Sequence, residues 1–243
     1  MHTSTNRVLV AIPAYNEQAT IHIVVQRTRE SLPGFDLLIV NDGSRDGTGK
    51  ILDSLGVVTA THLANLGYGR AIQTAIKYAL KYEYDVLITL DADGQHDPEQ
   101  VQRLYQESMT AGCDVLIGSR HIATRDYAHI PLGRRIGMQL FSLVVKLIAG
   151  QRIYDTTSGL KVIKRKAFRP LVNWHFLDFH AEAIVYLMRL GYRIGESPIT
   201  VAERVQGQSM YSMLSHLTYP LQTSMLVLLG VIEATLTRRR KQV

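Results

Sequence analysis

The chain has 243 residues, of which 46% are hydrophobic and 20% are charged, a composition that excludes a disordered or collagen-like chain. The length suits one sizeable α/β domain and is short for two. The net charge of +6 favours acidic partners such as phosphates, nucleotides or anionic lipid. The single cysteine, Cys113, excludes an intrachain disulfide and a multi-cysteine metal site, which fits a reducing compartment.

Strand-like and helix-like segments alternate along the first 120 residues. Continuous apolar runs predict strands at Val8–Ile12, Phe35–Val40, Gly56–His62, Asp85–Leu90 and Cys113–Ile117. Helices are predicted at Glu17–Leu32, after Asp46-Gly47-Thr48, at Asn65–Tyr82 and from Pro98 to about Ala111. Asp97 is predicted to cap the last of these helices at its N-terminus. This rhythm predicts an α/β fold, a mostly parallel Rossmann-like sheet with helices on both faces.

The pattern changes after residue 120. Arg134–Ala149 and Phe179–Leu190 read as helices, the first of them amphipathic, and Leu160–Lys164 and Arg193–Val201 read as strands. No internal repeat or low-complexity linker divides the chain. We therefore predict one domain over residues 1–210, followed by a C-terminal amphipathic helix with a basic tail over 211–243.

The segment 214–236 carries large apolar residues at helical spacing and is followed by a basic run, 238–241. His216, Pro220 and Glu233 make it a poor membrane span, which needs roughly 20 apolar residues. A helix lying on a membrane surface, a helix packed on a protein partner or a second copy, and a true span all remain open. The first strand is too short for a signal-peptide core, so we expect a cytoplasmic protein at the cytoplasmic face of a membrane.

Polar clusters follow four of the predicted strands, at residues 13–17, 41–44, 91–93 and 118–120. Ligands of parallel α/β sheets bind beyond the carboxyl ends of the strands. The clusters therefore predict one shared binding edge.

Asp91 and Asp93 follow a buried strand, with Gln95 and His96 close behind. Alternate residues of a straight strand point to opposite faces, so a turn is needed before both carboxylates can serve one ligand. Mg²⁺ takes one or two carboxylates, waters and substrate phosphates. A metal–diphosphate site is therefore expected here, with turn capping as the structural alternative.

Asp42, at the end of the second strand, could accept a hydrogen bond from a base or a ribose, or form an Asx turn. Tyr15 could stack on a base, and Glu17 could hold it or stabilise the first turn of a helix. His180, Glu182 and the preceding Asp178 could supply a catalytic base or cap a helix.

Four arginines recur where a phosphate would lie, and their planar guanidinium suits phosphate oxygens. They are Arg120, Arg134, Arg135 and Arg204. For each of them a solvated surface charge is the alternative. The basic residues are scattered without an aromatic platform, so a nucleic-acid partner is not expected.

Seven motifs can be considered together: Ile12-Pro13-Ala14-Tyr15-Asn16-Glu17, Asn41-Asp42-Gly43-Ser44-Arg45-Asp46-Gly47-Thr48, Asn65-Leu66-Gly67-Tyr68-Gly69, Leu90-Asp91-Ala92-Asp93-Gly94-Gln95-His96-Asp97-Pro98, Gly118-Ser119-Arg120, Thr157-Ser158-Gly159-Leu160-Lys161 and Glu203-Arg204-Val205-Gln206-Gly207-Gln208-Ser209. This set resembles the inverting family 2 glycosyltransferases with a GT-A fold. The resemblance is strongest to the branch of dolichol-phosphate mannose synthases and polyprenyl-phosphate sugar transferases, and it runs from about residue 8 to 210.

The resemblance implies a nucleotide-sugar donor, a lipid-phosphate acceptor and a divalent metal, Mg²⁺ or Mn²⁺. The implied nucleoside-binding residues are Pro13, Tyr15, Glu17, Val40 and Asp42. The implied ribose, diphosphate and metal residues are Asp91, Ala92 and Asp93, with Gln95 and Arg120 beside them. The implied catalytic set is Asp91, Asp93 and Arg204, the last at the donor diphosphate, and Arg134 or Arg135 would bind the acceptor phosphate.

Two residues depart from the pattern. Met210 stands where mannose synthases usually have a lysine, and Asn41 stands where the family commonly has an acid. One diphosphate contact is therefore missing or is supplied elsewhere.

The expected reaction moves a sugar from a UDP- or GDP-sugar to a polyprenyl phosphate with inversion. The first alternative is a family 2 transferase that acts on a glycan hydroxyl in capsule or lipopolysaccharide assembly, which needs a base. The second is a non-catalytic nucleotide-sugar-binding subunit of a membrane complex.

Overall fold

The structure, a computed structural model, describes residues 6–120, 122, 145–147, 150–173, 179–201 and 215–240. In chain order the elements are β1 Val8–Ala14, α1 Ile21–Ser31, β2 Asp36–Asn41, α2 Thr48–Leu55, β3 Val58–Thr61, α3 Tyr68–Lys81, β4 Val86–Thr89, α4 Pro98–Thr110, β5 Val115–Ser119, β6 Lys161–Lys164, α5 Phe168–Asn173, α6 Ala181–Arg189, β7 Ile194–Pro198 and α7 Ser215–Arg240. The predicted helix at Arg134–Ala149 lies outside the described residues except for 145–147, which are helical.

The described strands form one sheet in the order β3-β2-β1-β4-β6-β5-β7. Only β6 runs antiparallel to its neighbours, β4 and β5. All the other neighbouring strands are parallel. The predicted α/β fold with a mostly parallel sheet is confirmed, and the carboxyl ends of β1, β2, β4 and β5 share one edge, which we call the catalytic edge.

Helices cover both faces of the sheet, and each face has its own apolar core. One core joins alternate residues of β1, β2 and β4 to α3, α5 and α6. The other joins the intervening residues of the same strands to α1 and α4. Strands buried on both faces need continuous apolar sequences, which explains why the runs from Val8 and Phe35 predict strands so clearly.

The helix predicted from Glu17 begins later, at Ile21. The amides of residues 16–18 instead donate to the side chains of Ser44, Asp46 and Thr48, in the loop before α2 and at its first residue. The N-terminal cap predicted for α4 is confirmed, since the Asp97 side chain accepts from the Glu99 amide.

Helix α7 packs closely on α6, where a Cβ at Gly230 would lie 3.2 Å from the carbonyl oxygen of Glu182. Val227 and Ala234 are buried in this contact. The opposite side of α7 exposes a row of large apolar side chains, the exposed stripe: Met225, Leu228, Leu229, Ile232 and Leu236. Within the described part of the chain, no helix has the length and apolar character needed to cross a membrane.

Candidate active site

The nucleoside end predicted from the sequence lies where β1 and β2 finish side by side. Pro13 pairs with Val40 in the sheet, and the Asp42 amide donates to the Ala14 carbonyl oxygen at 2.8 Å. Tyr15 is half-buried at the same edge. Val40 is fully buried, backbone included, so it has no exposed surface that a ligand could contact.

The buried Asp42 carboxylate organises the loop that precedes α3. Its Oδ1 accepts from the Leu66 amide and its Oδ2 from the Gly67 amide, both at 2.9 Å. His62 Nδ1 lies 2.6 Å from Oδ1. Each carboxylate oxygen can accept two hydrogen bonds, so these contacts leave Oδ2 with capacity for a nucleoside donor.

Gly43 allows this loop to lie close to the backbone that follows β2. Its φ of +70° lies in the left-handed region, and a Cβ there would overlap the backbone of Ala64 and Asn65. The Asx turn considered for Asp42 is made by its neighbour, because Asn41 Oδ1 accepts from the Ser44 amide at 3.1 Å. Glu17 also bonds within the protein, since Thr20 Oγ1 donates to its carboxylate at 2.9 Å.

The turn that the Asp91 and Asp93 pair requires is present. Strand β4 ends at Thr89, and a turn with φ +74° at Gly94 follows the two aspartates. Asp93 is buried and accepts from the Gln95 amide at 3.0 Å. The Asp91 side chain is 34% exposed, and His96 Nε2 lies 3.8 Å from its Oδ2.

Asp91 sits directly against Gly159, in the turn before β6. A Cβ at Gly159 would overlap the whole Asp91 carboxylate, so only glycine permits this position. Burial raises the pKa of Asp91, but the nearby His96 and the Lys161 ammonium outweigh this effect, so the net pKa lies below the ordinary 3.8. Asp91 is therefore held as a carboxylate.

Arg120, just past the end of β5, is fixed by the fully buried Asp155. Its Nε and Nη2 donate to the two Asp155 oxygens at 2.7 and 2.8 Å, and its backbone amide donates at 3.0 Å. Burial lowers the pKa of Arg120, but the carboxylates of Asp155, Asp91 and Asp93 raise it above its usual value. Arg120 is therefore a permanent cation that interacts with both aspartates of the predicted metal site.

The Asp155 loop is in turn anchored to β7. The Glu196 carboxylate accepts from the amides of Tyr154 and Asp155, both at 2.8 Å. Burial raises the pKa of Glu196 above 4.5, although these amides oppose the rise. Strands β5 and β7 thus set the position of Arg120 together.

The start of α6 contributes His180 and Glu182, for which the sequence left a base or a cap open. The His180 side chain makes no capping hydrogen bond. Glu182 is buried, and its carboxylate accepts from the His180 amide at 3.3 Å. This contact favours a structural role for Glu182 at the helix terminus.

The structure brings all the described candidates to the catalytic edge. They are Pro13, Tyr15, Glu17, Val40, Asp42, Asp91, Ala92, Asp93, Gln95 and Arg120. Arg134, Arg135 and Arg204, like Asp178 and Met210, lie outside the described residues and stay predictions.

Sequence reasoning missed the roles of Asp155, Gly159 and Lys161. Lys161 is fully buried in β6, and its ammonium donates to the Ser158 carbonyl oxygen. Burial, partly opposed by Asp91, Asp155 and Glu182, lowers its pKa to about 8. The motif 157–161 could have indicated Gly159 and Lys161 but not Asp155, and no spacing rule shows that β6 inserts between β4 and β5.

The oxygen donors at this edge suit Mg²⁺ or Mn²⁺ better than a softer metal. In the described residues, no group of three or more His, Cys, Asp or Glu side chains could hold a metal by itself. Two carboxylates completed by substrate phosphates are the arrangement that Mg²⁺ commonly takes. The residues present therefore fit a cation that binds together with a diphosphate.

The chain is similar to known glycosyltransferases in sequence and in fold. The family model for glycosyl transferase family 2 matches residues 9–172. An undecaprenyl-phosphate mannosyltransferase of Micrococcus luteus is 34% identical over 215 residues, covering 85% of this chain and 88% of the relative. A UDP-N-acetylglucosamine–dolichyl-phosphate N-acetylglucosaminyltransferase of Methanococcus voltae is 29% identical, covering 79% and 84%.

Among solved structures, glucosyl-3-phosphoglycerate synthase of Mycobacterium tuberculosis, in complex with Mn²⁺, UDP-glucose and phosphoglyceric acid, has the same fold. Its TM-score is 0.66 at 18% identity, covering 94% of this chain and 79% of that one. The family model covers well over half of the 243 residues. The chain belongs to glycosyl transferase family 2.

Proposed function

We propose that the chain transfers a sugar from a nucleoside-diphosphate sugar to a polyprenyl phosphate, with inversion at the anomeric carbon. The observation that carries the proposal is the assembly of Asp42, Asp91, Asp93 and Arg120 at one sheet edge of a family 2 chain. The mannosyltransferase and the N-acetylglucosaminyltransferase described above act on undecaprenyl and dolichyl phosphate, which supports a lipid-phosphate acceptor.

In this reaction an acceptor phosphate oxygen forms a bond to the anomeric carbon. The bond from that carbon to the donor diphosphate breaks, and its electron pair leaves with the nucleoside diphosphate. A phosphate monoester has a second pKa of about 6, so the attacking oxygen is already ionised at neutral pH and needs no base. Catalysis then rests on positioning and charge neutralisation.

Each residue of the edge has a defined part. The loop held by Asp42 binds the nucleoside, and Arg120, fixed by Asp155, neutralises charge beside the diphosphate. Asp91, Asp93 and Gln95 would hold Mg²⁺ or Mn²⁺, which would supply Lewis-acid stabilisation of the departing diphosphate. Arg204 at the donor diphosphate, and Arg134 or Arg135 at the acceptor phosphate, complete the proposal.

The protein is also proposed to work at a membrane surface. The exposed stripe of α7 is apolar, and the helix leads into the basic run 238–241, a pairing that suits anionic lipid. Full-length protein should sediment with vesicles that contain an anionic lipid. Replacing Leu228 and Ile232 by serine should abolish sedimentation without loss of folding, and unchanged sedimentation would point to a protein partner or a second copy instead.

The direct test incubates the protein with labelled UDP- and GDP-sugars and a polyprenyl phosphate, and asks which label enters organic solvent. Asp93→Asn should abolish this transfer. Asp53→Asn, an exposed aspartate of α2, is the matched control and should transfer normally. Label entering a soluble glycan instead would favour the hydroxyl-acceptor alternative, and donor binding without turnover on any acceptor would favour a non-catalytic subunit.

A further inference from the structure

Two aromatic rings meet between the nucleoside loop and Asp91. Tyr68 is the first residue of α3, directly after Gly67, whose amide donates to Asp42. Its ring stacks on the imidazole of His180, with centroids 5.4 Å apart and planes inclined by 26°. His180 also interacts electrostatically with Asp91. The stacked pair therefore links the nucleoside end of the catalytic edge to the predicted metal end.

His180 carries a polar atom that makes no hydrogen bond within the part of the chain that the structure describes. Its Nδ1 is buried and has no hydrogen-bond partner among the described residues. Buried polar atoms are nearly always paired, and an exception needs an explanation such as an absent ligand. If His180 only capped α6, its side chain would accept a hydrogen bond from a backbone amide at the start of the helix, and it makes no such bond.

The backbone around His180 is also unusual. Phe179 has a φ of +56° although it is not glycine, and its side chain is buried in the core beside α6. Such a residue in the left-handed region costs about 1–3 kcal/mol and tends to occur at binding and catalytic sites. The strained backbone at Phe179 and the stacked Tyr68 ring together restrict the orientation of the imidazole.

The imidazole is electrically neutral. Burial and the nearby Lys161 ammonium lower its pKa to about 3, although Asp91 and Asp155 oppose the shift. A neutral imidazole suits a neutral hydroxyl group better than a phosphate, which the cations of this edge bind more strongly.

We propose that His180, positioned by Tyr68, binds the sugar of the donor, with Nδ1 hydrogen-bonded to one hydroxyl of the transferred pyranose. This inference rests on the proposed function, since a sugar attached to a diphosphate at Asp91 lies next to the metal end. His180 is then a residue that selects the sugar, and it binds the group that distinguishes a nucleotide sugar from the bare nucleotide.

The test compares binding of each nucleotide sugar with binding of its nucleotide by calorimetry, using GDP-mannose with GDP and UDP-N-acetylglucosamine with UDP. His180→Leu should weaken the preferred nucleotide sugar about tenfold or more and change the Kd of its nucleotide by less than twofold. His180→Asn places a polar group near the Nδ1 position and should recover most of the loss. The exposed His22→Leu of α1 is the matched control and should change neither Kd.

Stability provides a second readout. Because Nδ1 has no hydrogen-bond partner to lose among the described residues, His180→Leu should keep or raise the Tm. Equal weakening of nucleotide and nucleotide sugar, or a marked fall in Tm, would show a structural role and overturn the inference. Transfer to lipid phosphate is measured separately, so an inactive protein whose sugar binding still depends on His180 would refute only the proposed reaction.

Discussion

The contact between Gly159 and Asp91 makes a sharp prediction about Gly159→Ala. The added methyl group would overlap the Asp91 carboxylate. The Gly159 backbone is fixed, because Thr89 Oγ1 donates to its carbonyl oxygen at 2.6 Å and the next two residues bond to β5 and β4. The carboxylate must therefore move, by about 1 Å or more, to reach ordinary contact distance.

A misplacement of about 1 Å near the reacting atoms can cost about 10²-fold in rate. Loss of one preorganised electrostatic contact costs about 10²–10³-fold. We therefore expect kcat/KM for sugar transfer to fall by about 10²-fold or more in Gly159→Ala. The free energy of unfolding should fall by only about 1–2 kcal/mol, since the carboxylate can rotate towards solvent.

A double-mutant cycle with Asp91→Ala isolates the mechanism. Without the carboxylate there is nothing to overlap, so adding Gly159→Ala to Asp91→Ala should change neither stability nor residual activity. Gly49→Ala in α2 is the matched control, because its methyl group would meet Asn41 at an ordinary 3.6 Å and should slightly stabilise the helix. Additive losses in the cycle, or normal transfer by Gly159→Ala, would refute the reasoning.

Two further predictions concern stability. Asp155→Asn should lower the free energy of unfolding by about 3 kcal/mol in urea titrations, because it leaves the largely buried Arg120 guanidinium without its counter-ion. The control is Glu83→Gln, at an exposed ion pair, which should change the free energy of unfolding by less than about 0.5 kcal/mol. A loss below about 1 kcal/mol at Asp155 would contradict this. Burial and the hydrogen bond to Asp36 raise the pKa of Tyr84 to about 12, so its contribution is complete below pH 10 and is lost as the pH rises through 12. The stability advantage of wild type over Tyr84→Phe should shrink across that range, and a constant difference would exclude the linkage.

The first half of the fold is readable from the sequence because its strands are buried on both faces. Val8–Ile12 and the run ending at Val40 are continuous apolar segments, and each is followed directly by polar residues. The carboxyl ends of parallel strands must share an edge, so Asp42 and Asp91 were placed together without any knowledge of contacts. The cap at Asp97 was equally local.

The second half depends on contacts between distant segments. β6 follows the rest of the catalytic edge by some 40 residues, and its antiparallel insertion between β4 and β5 has no local signal. Asp155 and Gly159 acquire their roles only through that insertion, since it brings their turn against Arg120 and Asp91. The start of α1 was misplaced for the same reason, because contacts with residues 44–48 outweigh the helical pattern.

The buried Lys161 offers a way to measure how much one of these long-range contacts contributes to the free energy of unfolding. Its ammonium lies beneath the catalytic edge and compensates the buried carboxylates of Asp155 and Glu182. Removing one member of a buried ionic cluster costs about 3–5 kcal/mol, because the remaining charges lose their partner. Lys161→Met should therefore lower the free energy of unfolding by about 3 kcal/mol.

Adding Glu182→Gln should recover part of that loss, since it removes one uncompensated charge. The two groups are independent if their losses add, so that the double variant is less stable than Lys161→Met by the full loss measured for Glu182→Gln alone. Coupling would show that Lys161 and Glu182 balance each other's charge in the core.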